Sequence, residues 1–228
     1  MYILHIETST KICSVAISRN DKILGWEDRG HEMNHASTLA PMIADQMVRH
    51  GLFPKDLGAV SISSGPGSYT GLRVGSSAAK AFAYSLGIPL IAVPTMASLN
   101  AAVIRSGDLG HFVLPMIDAR RDEVYASLFD PHGEITWPDH AVKVNSEFIH
   151  EHLAGLSNVI CCGDGAFKMK PFLSSYSNLS LREDVVCSAK HLVLPAWNLL
   201  NQKETENPLH FIPRYLKPPN ITQPRKTA

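Results

Sequence analysis

The feature that most constrains the fold of this chain is a strand pattern that begins twice. "YILHIETS" and "CSVAISRNDKILGWEDRG" alternate apolar and polar residues, and Asn20-Asp21 between two of these runs predicts a tight hairpin. A second set of strands follows in the other half of the chain, in "HFVLPMIDA" and "EVYASLFD", with a turn at "PHGE" and another strand pair through "ITWPDHAVKV". The sequence therefore predicts two lobes that each open with antiparallel strands.

Helices are expected between the strands, so the predicted fold class is α/β. Helical spacing of apolar residues runs over about residues 34–50, and a second helix over residues 72–86 follows the buried strand "LGAVSISS" and the glycine turn "GPGSYTG". Further helices are expected in "TMASLNAAVI" and in "SAKHLVLPAWNLLNQ", the latter interrupted or kinked near Pro195. We place an N-terminal lobe at residues 1–100 and a C-terminal lobe with a basic, Pro-containing tail at residues 101–228.

Composition restricts the class of protein further. Twenty-one basic and twenty-one acidic residues leave no net charge, so nothing draws the whole molecule to nucleic acid or to an anionic membrane. The charge-free interval between Lys80 and Arg105 is rich in alanine and contains two prolines, and we predict no membrane span there. The cysteines show no C-x-x-C spacing, and two of them lie in the apolar run "NVICCGDGA", which favours a reducing, cytoplasmic location.

The stretch "HEMNH" at residues 31–35 has the letters of the H-E-x-x-H zinc-protease motif. A zinc peptidase also needs a third protein ligand, and neither the usual downstream glutamate nor an H-x-x-G-x-x-H continuation is present. Pro41 would in addition break or kink a helix that carried the site. We therefore expect no metal site and no zinc hydrolysis, and we interpret this stretch as a loop and helix start capped by Asn34 or Ser37.

The glycine turn in "SSGPGSYTGLRVGSSAAKA" lies between a strand and a helix, where backbone amides can bind an anion. Its spacing matches neither G-x-G-x-x-G nor a P-loop, so both nucleotide motifs are excluded. The small residues Gly71, Gly75, Ala79 and Ala83 recur every four residues and form a ridge along one helix face. Such a ridge is explained either by packing against the sheet of its own lobe or by a subunit interface.

Several motifs together resemble one family. "ILHIETSTKICSVAI", "GPGSYTGLRVGSSAAKAFAYSLGIPLIAV", "IDARRDEVY", "CGDGA" and "PRYLK" are similar, in this order and over nearly the whole chain, to the TsaB (YeaZ) family, the bacterial partner subunit in synthesis of threonylcarbamoyl-adenosine in tRNA. The resemblance implies a two-lobed actin-like ATPase (ribonuclease H-like) fold, with mixed sheets flanked by helices. It also implies that the hairpins "ETSTKICS" and "DARRDEV" face a cleft between the lobes.

The resemblance implies a non-catalytic subunit that binds and activates a TsaD-like catalytic subunit, and it implies a TsaE-like ATPase as a further partner. A homodimer through the same helices is expected when the chain is alone, and contact with tRNA is expected to be indirect. TsaD carries a metal-binding H-x-x-x-H where Thr95 and Leu99 stand in this chain, so no metal is expected. The alternative is an ATP-dependent small-molecule kinase on the same fold, with a zinc metallopeptidase as a distant third.

Two sets of site residues follow from the resemblance, and no catalytic residue is among them. The first is a nucleotide cleft, vestigial or weak, in which no cofactor is expected and ATP or ADP binds only within the complex: Thr8, Ser9, Thr10, Asp118, Gly163, Asp164 and Gly165. The second is the partner interface, formed by two helices of the N-terminal lobe: Leu39, Ile43, Gly71, Gly75, Ala79 and Ala83.

The tail beyond Glu206, the last acidic residue, carries only basic charges. Tails of this composition are typically extended, or disordered at the end. Four cations on a neutral protein give only weak, salt-sensitive contacts with phosphates, so we expect no strong tRNA affinity for the isolated chain. The four residues are Arg214, Lys217, Arg225 and Lys226.

Overall fold

Two five-stranded mixed sheets form the architecture, which a computed structural model describes for residues 1–30 and 34–218. The first sheet contains β1 (Tyr2–Glu7), β2 (Cys13–Arg19), β3 (Lys22–Arg29), β4 (Leu57–Ser63) and β5 (Leu90–Val93), in the order β3-β2-β1-β4-β5. Strands β1, β2 and β3 are antiparallel, whereas β4 and β5 join in parallel. The two-residue hairpin predicted at Asn20-Asp21 is confirmed, and Asn20 has the positive φ of 56° that such turns favour.

Helices α1 (His35–Arg49) and α2 (Tyr69–Leu86) cover one face of the first sheet, and α3 (Thr95–Arg105) follows β5. The side chain of Asn34 caps α1 by accepting a hydrogen bond from the Ala36 amide at 3.0 Å. Helix α1 runs through Pro41, as the predicted helix over about residues 34–50 does, and it begins only at the last residue of the zinc-like motif. All three helices lie where the sequence predicts them.

The second sheet repeats the connectivity of the first. It contains β6 (Phe112–Asp118), β7 (Glu123–Phe129), β8 (Ile135–Lys143), β9 (Val159–Cys162) and β10 (Leu179–Arg182), in the order β10-β9-β6-β7-β8. The segment "ITWPDHAVKV" forms one strand rather than the predicted pair, because β8 pairs along its length with β7. Strand β10 and the short helix α4 (Ser146–His152) were not predicted, because their apolar periodicity is weak.

The chain returns to the first sheet after residue 187. A single 3₁₀ turn, Ala189–His191, precedes helix α5 (Val193–Asn201), whose Ala196 packs with Ile3 and Ile91 of the first sheet. The expected interruption near Pro195 falls instead before Val193, since proline is tolerated in the first turn of a helix. None of the helices within the described ranges is both long and apolar enough to cross a bilayer.

Candidate functional site

The carboxyl end of β1 leads into the first hairpin, and Glu7 anchors it from a fully buried position. Glu7 Oε1 accepts hydrogen bonds from the Ser9 amide at 2.7 Å and from Ser63 Oγ at 2.8 Å. Burial raises the pKa of Glu7 above its usual value, against the opposing effect of these hydrogen bonds. This carboxyl group therefore holds the hairpin to β4.

Threonine hydroxyls of the same hairpin are also used inside the fold. Thr8 Oγ1 donates to the carbonyl of Gly71 at 2.8 Å, which ties the hairpin to the first turn of α2. Thr10 Oγ1 accepts from the Ile12 amide at 3.3 Å, and the Thr10 carbonyl accepts from Nε2 of His35 at 2.8 Å. The side chains of Thr8 and Thr10 thus have internal partners, and the third predicted residue, Ser9, has one through its amide.

The second lobe contributes Asp118, at the end of β6, and the glycine loop after β9. Lys168 Nζ lies 2.6 Å from Asp118 Oδ1, and the Asp118 amide donates to Asp164 Oδ1 at 3.1 Å. Desolvation raises the pKa of Asp118, but the hydrogen bonds from Lys168 and the Arg120 amide, together with the nearby lysine charges, outweigh it and leave that pKa below its usual value. Burial raises the pKa of Asp164. The carboxylate best suited to hold magnesium through water is therefore already neutralised by a lysine.

The glycines on either side of Asp164 let this loop approach neighbouring backbone. Gly163 has a φ of 90°, and a Cβ at Gly165 would lie 2.7 Å from the Ile117 carbonyl carbon. The charge of Lys11 in the first hairpin opposes the effect of burial on the pKa of both Asp118 and Asp164, so this hairpin lies near the two carboxyl groups. The predicted cleft residues thus lie around one junction between the lobes, and the hydroxyls of Thr8 and Thr10 and the carboxylate of Asp118 are hydrogen bonded to other groups of the protein.

A second feature is an apolar groove on the outer surface between α1 and α2, with a volume of about 400 Å³. Helix α1 contributes Leu39, Ala40 and Ile43, and α2 contributes Val74, Ala78 and Phe82. Arg73 and Ser77 supply the polar part of its lining. Two of the predicted interface residues, Leu39 and Ile43, therefore border the groove, although each is only 3% exposed.

The other four predicted interface residues need correction. Gly71, Gly75, Ala79 and Ala83 are all buried against their own lobe. A Cβ at Gly75 would overlap Thr8 Oγ1, and Ala79 and Ala83 belong to the apolar core of the first lobe. The small ridge thus lets α2 approach its own sheet closely, and the exposed face of the helix is the opposite one. The sequence carried a signal for this orientation of α2. Val74 and Phe82 are also hydrophobic, so the helix is apolar on more than one side.

The positions considered for metal ligands are His35 of the zinc-like motif and, on α3, Thr95 and Leu99. His35 begins α1 and binds the Thr10 carbonyl, while residues 31–33 of the zinc-like motif lie outside the described part of the chain. Within residues 1–30 and 34–218, no three His, Cys, Asp or Glu side chains gather as metal ligands. Thr95 and Leu99 lie fully buried on α3.

Part of the basic tail is engaged with the second lobe. Arg214 forms an ion pair with Asp139 at 2.8 Å, and Lys217 forms one with Glu123 at 2.5 Å. Arg225 and Lys226 lie outside the described residues. Sequence reasoning did not identify these pairs, because the acidic partners lie far away in the sequence.

Comparison with known proteins agrees with this geometry. The family model of TsaD, tRNA N6-adenosine threonylcarbamoyltransferase, matches residues 30–222. The chain is 29% identical over 221 residues to the tRNA threonylcarbamoyladenosine biosynthesis protein TsaB of Escherichia coli (strain K12), with 95% of each chain covered. It is 33% identical over 129 residues to the protein of the same name from Bacillus subtilis (strain 168), covering 57% of this chain and 55% of the relative.

Solved structures show the same fold. YeaZ from Pseudomonas aeruginosa superposes with a TM-score of 0.76 at 24% identity, covering 94% of this chain and 99% of that one. The activator of 2-hydroxyisocaproyl-CoA dehydratase from Clostridium difficile, solved with bound ADPNP, gives a TM-score of 0.54 at 9% identity over 91% of this chain and 99% of that one. The two-lobed actin-like fold class is thereby confirmed. The chain belongs to the TsaB (YeaZ) family, within the wider group that the TsaD model describes.

Proposed function

We propose that this protein is a non-catalytic subunit that binds and activates a TsaD-like enzyme in threonylcarbamoyladenosine modification of tRNA. The observation that carries the proposal is the apolar groove between α1 and α2, in a chain of this family. An exposed groove lined by aliphatic and aromatic side chains suits an apolar helix face of a partner protein. The partner we propose for it is the TsaD-like catalytic subunit.

The composition of the groove supports a helical partner in particular. Alanines at positions 40 and 78 keep the surface low between the larger Leu39, Ile43 and Phe82, so a ridge of another helix can enter. Arg73 at the edge can pair with an acidic or carbonyl group of the partner. The resulting assembly would place two helices of each subunit side by side. The same surface is the proposed contact of a homodimer when the chain is alone.

The absence of intrinsic catalysis is proposed on two grounds. Thr95 and Leu99 occupy the positions that align with the TsaD histidines, and neither offers an imidazole ligand. In the cleft, the Asp118 carboxylate is paired with Lys168, and the Thr8 hydroxyl donates to the carbonyl of Gly71 in α2. We therefore propose that no cofactor is held by this chain alone and that ATP or ADP enters only with the complex. A small-molecule kinase is not favoured, since it would need these groups free.

Further partners are proposed without an assigned contact surface on this chain. A TsaE-like ATPase is proposed to join the complex, and tRNA is proposed to contact the catalytic subunit rather than this one. The engagement of Arg214 and Lys217 in ion pairs supports an indirect role toward tRNA. A cytoplasmic location stays a prediction.

The test combines binding and activity with a matched pair of variants on α2. Ser77 is exposed and lines the groove, whereas Ser85 is exposed on the same helix outside it. We expect Ser77→Arg to weaken binding to the TsaD-like enzyme at least about tenfold, because an arginine fills the groove with charge. We also expect it to reduce threonylcarbamoyl transfer to tRNA in the reconstituted reaction, whereas Ser85→Arg behaves as the unmodified chain.

The melting temperatures of both variants must match that of the unmodified chain for the comparison to hold. Equal binding by Ser77→Arg and the unmodified chain would exclude the groove as the contact surface. Phosphoryl transfer from ATP to a small molecule by the chain alone would favour the kinase instead.

A further inference from the structure

Residues 206–218, which we call the strap, lie across both lobes after α5 has ended. The Glu206 amide donates to the Leu90 carbonyl at 2.8 Å, which adds a short bridge to the edge of the first sheet. Phe211 is buried in the apolar core of the first lobe, and its carbonyl accepts from Lys80 Nζ at 3.0 Å. The strap is therefore fixed to the first lobe at its beginning.

The middle of the strap follows the glycine turn that precedes α2. The Arg214 amide donates to the Ser64 carbonyl at 2.7 Å. Gly65 makes this approach possible, because a Cβ there would overlap the Arg214 carbonyl oxygen. The ring of Tyr215 lies 4.7 Å from the ring of Tyr69, in the first turn of α2. These contacts fix the path of the strap up to the lobe junction.

The strap then binds the second lobe through charge. Arg214 pairs with Asp139 on β8, whose side chain is only 5% exposed, and Lys217 pairs with Glu123 at the start of β7. The carbonyl of Glu123 also accepts a hydrogen bond from Lys168 at 2.8 Å, so the partner of Lys217 is itself held in place. Contacts with the first lobe are thus apolar contacts and hydrogen bonds of the strap backbone, whereas those with the second lobe are ion pairs between side chains.

We propose that the strap is an electrostatic latch that fixes the angle between the two lobes. Detaching it from the second lobe breaks two ion pairs, whereas detaching it from the first lobe requires removing Phe211 from a core. The second-lobe end is therefore the one that opens. When it opens, the hairpins that meet at the cleft are free to separate.

The test measures both the latch and the lobe angle in the full chain. Spin labels are placed at exposed sites of each lobe with Ser85→Cys and Glu147→Cys, since the four native cysteines are buried. Arg214→Gln with Lys217→Gln should broaden the distance distribution between the labels. The same change should leave hydrogen exchange slow at the backbone amide of position 214 and at the β1 and β4 amides, because these amides are bonded within the first lobe and only the second-lobe end of the strap opens.

The matched control removes the same amount of charge away from the latch. Lys22 and Lys203 are exposed, lie outside the strap and form no ion pair within residues 1–30 and 34–218. Lys22→Gln with Lys203→Gln should therefore leave both the distance distribution and the exchange rate unchanged. Equal broadening by this control would overturn the proposal, since the effect would then not depend on the two ion pairs of the strap.

Salt provides a second measurement that needs no variant of the strap. Raising the ionic strength should broaden the distribution of the labelled, otherwise unmodified chain in the same direction, because solvent ions screen these pairs. An unchanged distribution with both the strap double variant and salt would overturn the proposal as well.

Discussion

The two sides of the first sheet are built from different chemistry, although alternate residues of the same strand supply both. On β1, Leu4 and Ile6 belong to the apolar core beneath α1 and α2. His5 and Glu7 alternate with them and face the other side, where buried hydrogen bonds accompany the apolar contacts of Ile3 with α5. The first side derives its stability from close apolar packing, and the second from apolar packing against α5 together with hydrogen-bonded buried polar groups.

This difference explains what each side can do. Close packing beneath α2 uses small residues on the inner face, so the larger Val74 and Phe82 remain available to form the groove outside. The other side carries two buried ionisable groups, and burial lowers the pKa of His5 and raises the pKa of Glu7. The groove and the buried ionisable groups thus lie on opposite sides of one sheet.

The largest effect is expected from overpacking the α2 side. Ala79 is fully buried in the core of the first lobe, so Ala79→Leu should lower the free energy of unfolding by about 1–3 kcal/mol. Denaturation by urea measures the change. Ala81→Leu is the matched control, because Ala81 is exposed on the same helix and should be nearly neutral. An Ala79→Leu variant as stable as the unmodified chain would show that this side is loosely packed.

Sequence reasoning predicted the elements of the first lobe because strand alternation and helical periodicity are local signals. The hairpin at Asn20-Asp21 and the strand "LGAVSISS" needed no information from elsewhere in the chain. The direction of the small ridge was not decidable locally, because Gly75 and Ala79 suit a close approach to a sheet as well as to a partner helix. Only the position of Thr8 against α2 resolves the choice.

The strap and the cleft lysine show the same limit more strongly. Nothing near Arg214 in the sequence indicates Asp139, and nothing near Asp118 indicates Lys168. Both pairs join segments that come together only when the second sheet has formed. Ion pairs between distant segments therefore have to be read from the structure, whereas the residues that could form them can be named in advance.

The next largest effect is expected on the polar side, at His5. Its ring is hydrogen bonded to Ser61 Oγ at 2.6 Å and to Ser18 Oγ at 2.8 Å, and burial lowers its pKa to about 3. The unfolded chain therefore binds a proton more readily as the pH falls from 6.5 toward 3. Stability contributed by neutral His5 is complete above pH 6.5 and decreases by up to about 1.4 kcal/mol per pH unit below it.

The measurement is the pH dependence of urea unfolding for the unmodified chain and for His5→Gln. The variant should show a shallower loss of stability between about pH 6 and about pH 4. Glu7 acts with the opposite sign, because its raised pKa makes the folded state hold a proton that the unfolded state releases as the pH rises. Glu7→Gln should therefore remove a loss of stability at higher pH and serves as the control. Identical slopes for His5→Gln and the unmodified chain would contradict the assignment.

A smaller effect, on binding rather than on folding, is expected from the α1 wall of the groove. Ala40 lines the groove and Ala44 lies one turn away outside its lining, and both are exposed. Ala40→Arg should weaken binding to the TsaD-like partner about tenfold, because it places a second cation, besides Arg73, in the apolar groove that the partner would enter. Calorimetric titration gives the affinities. If Ala44→Arg weakens binding equally, the contact surface is wider than the groove.

The smallest effect is expected from the ion pairs around α1. Comparing it with the effect of Ala79→Leu separates the contribution of charge from that of packing on the α2 side of the sheet. Asp45 lies 3.6 Å from Arg29 and is 52% exposed, so Asp45→Asn should change the free energy of unfolding by less than about 0.5 kcal/mol. Glu27 is only 19% exposed and accepts a hydrogen bond from Arg29 at 2.7 Å, which lowers its pKa. Glu27→Gln should therefore cost more than Asp45→Asn, up to about 1 kcal/mol. Urea unfolding at low and high salt measures both. A cost for Asp45→Asn that equals that of Ala79→Leu would mean that surface charge, rather than close packing, stabilises this side.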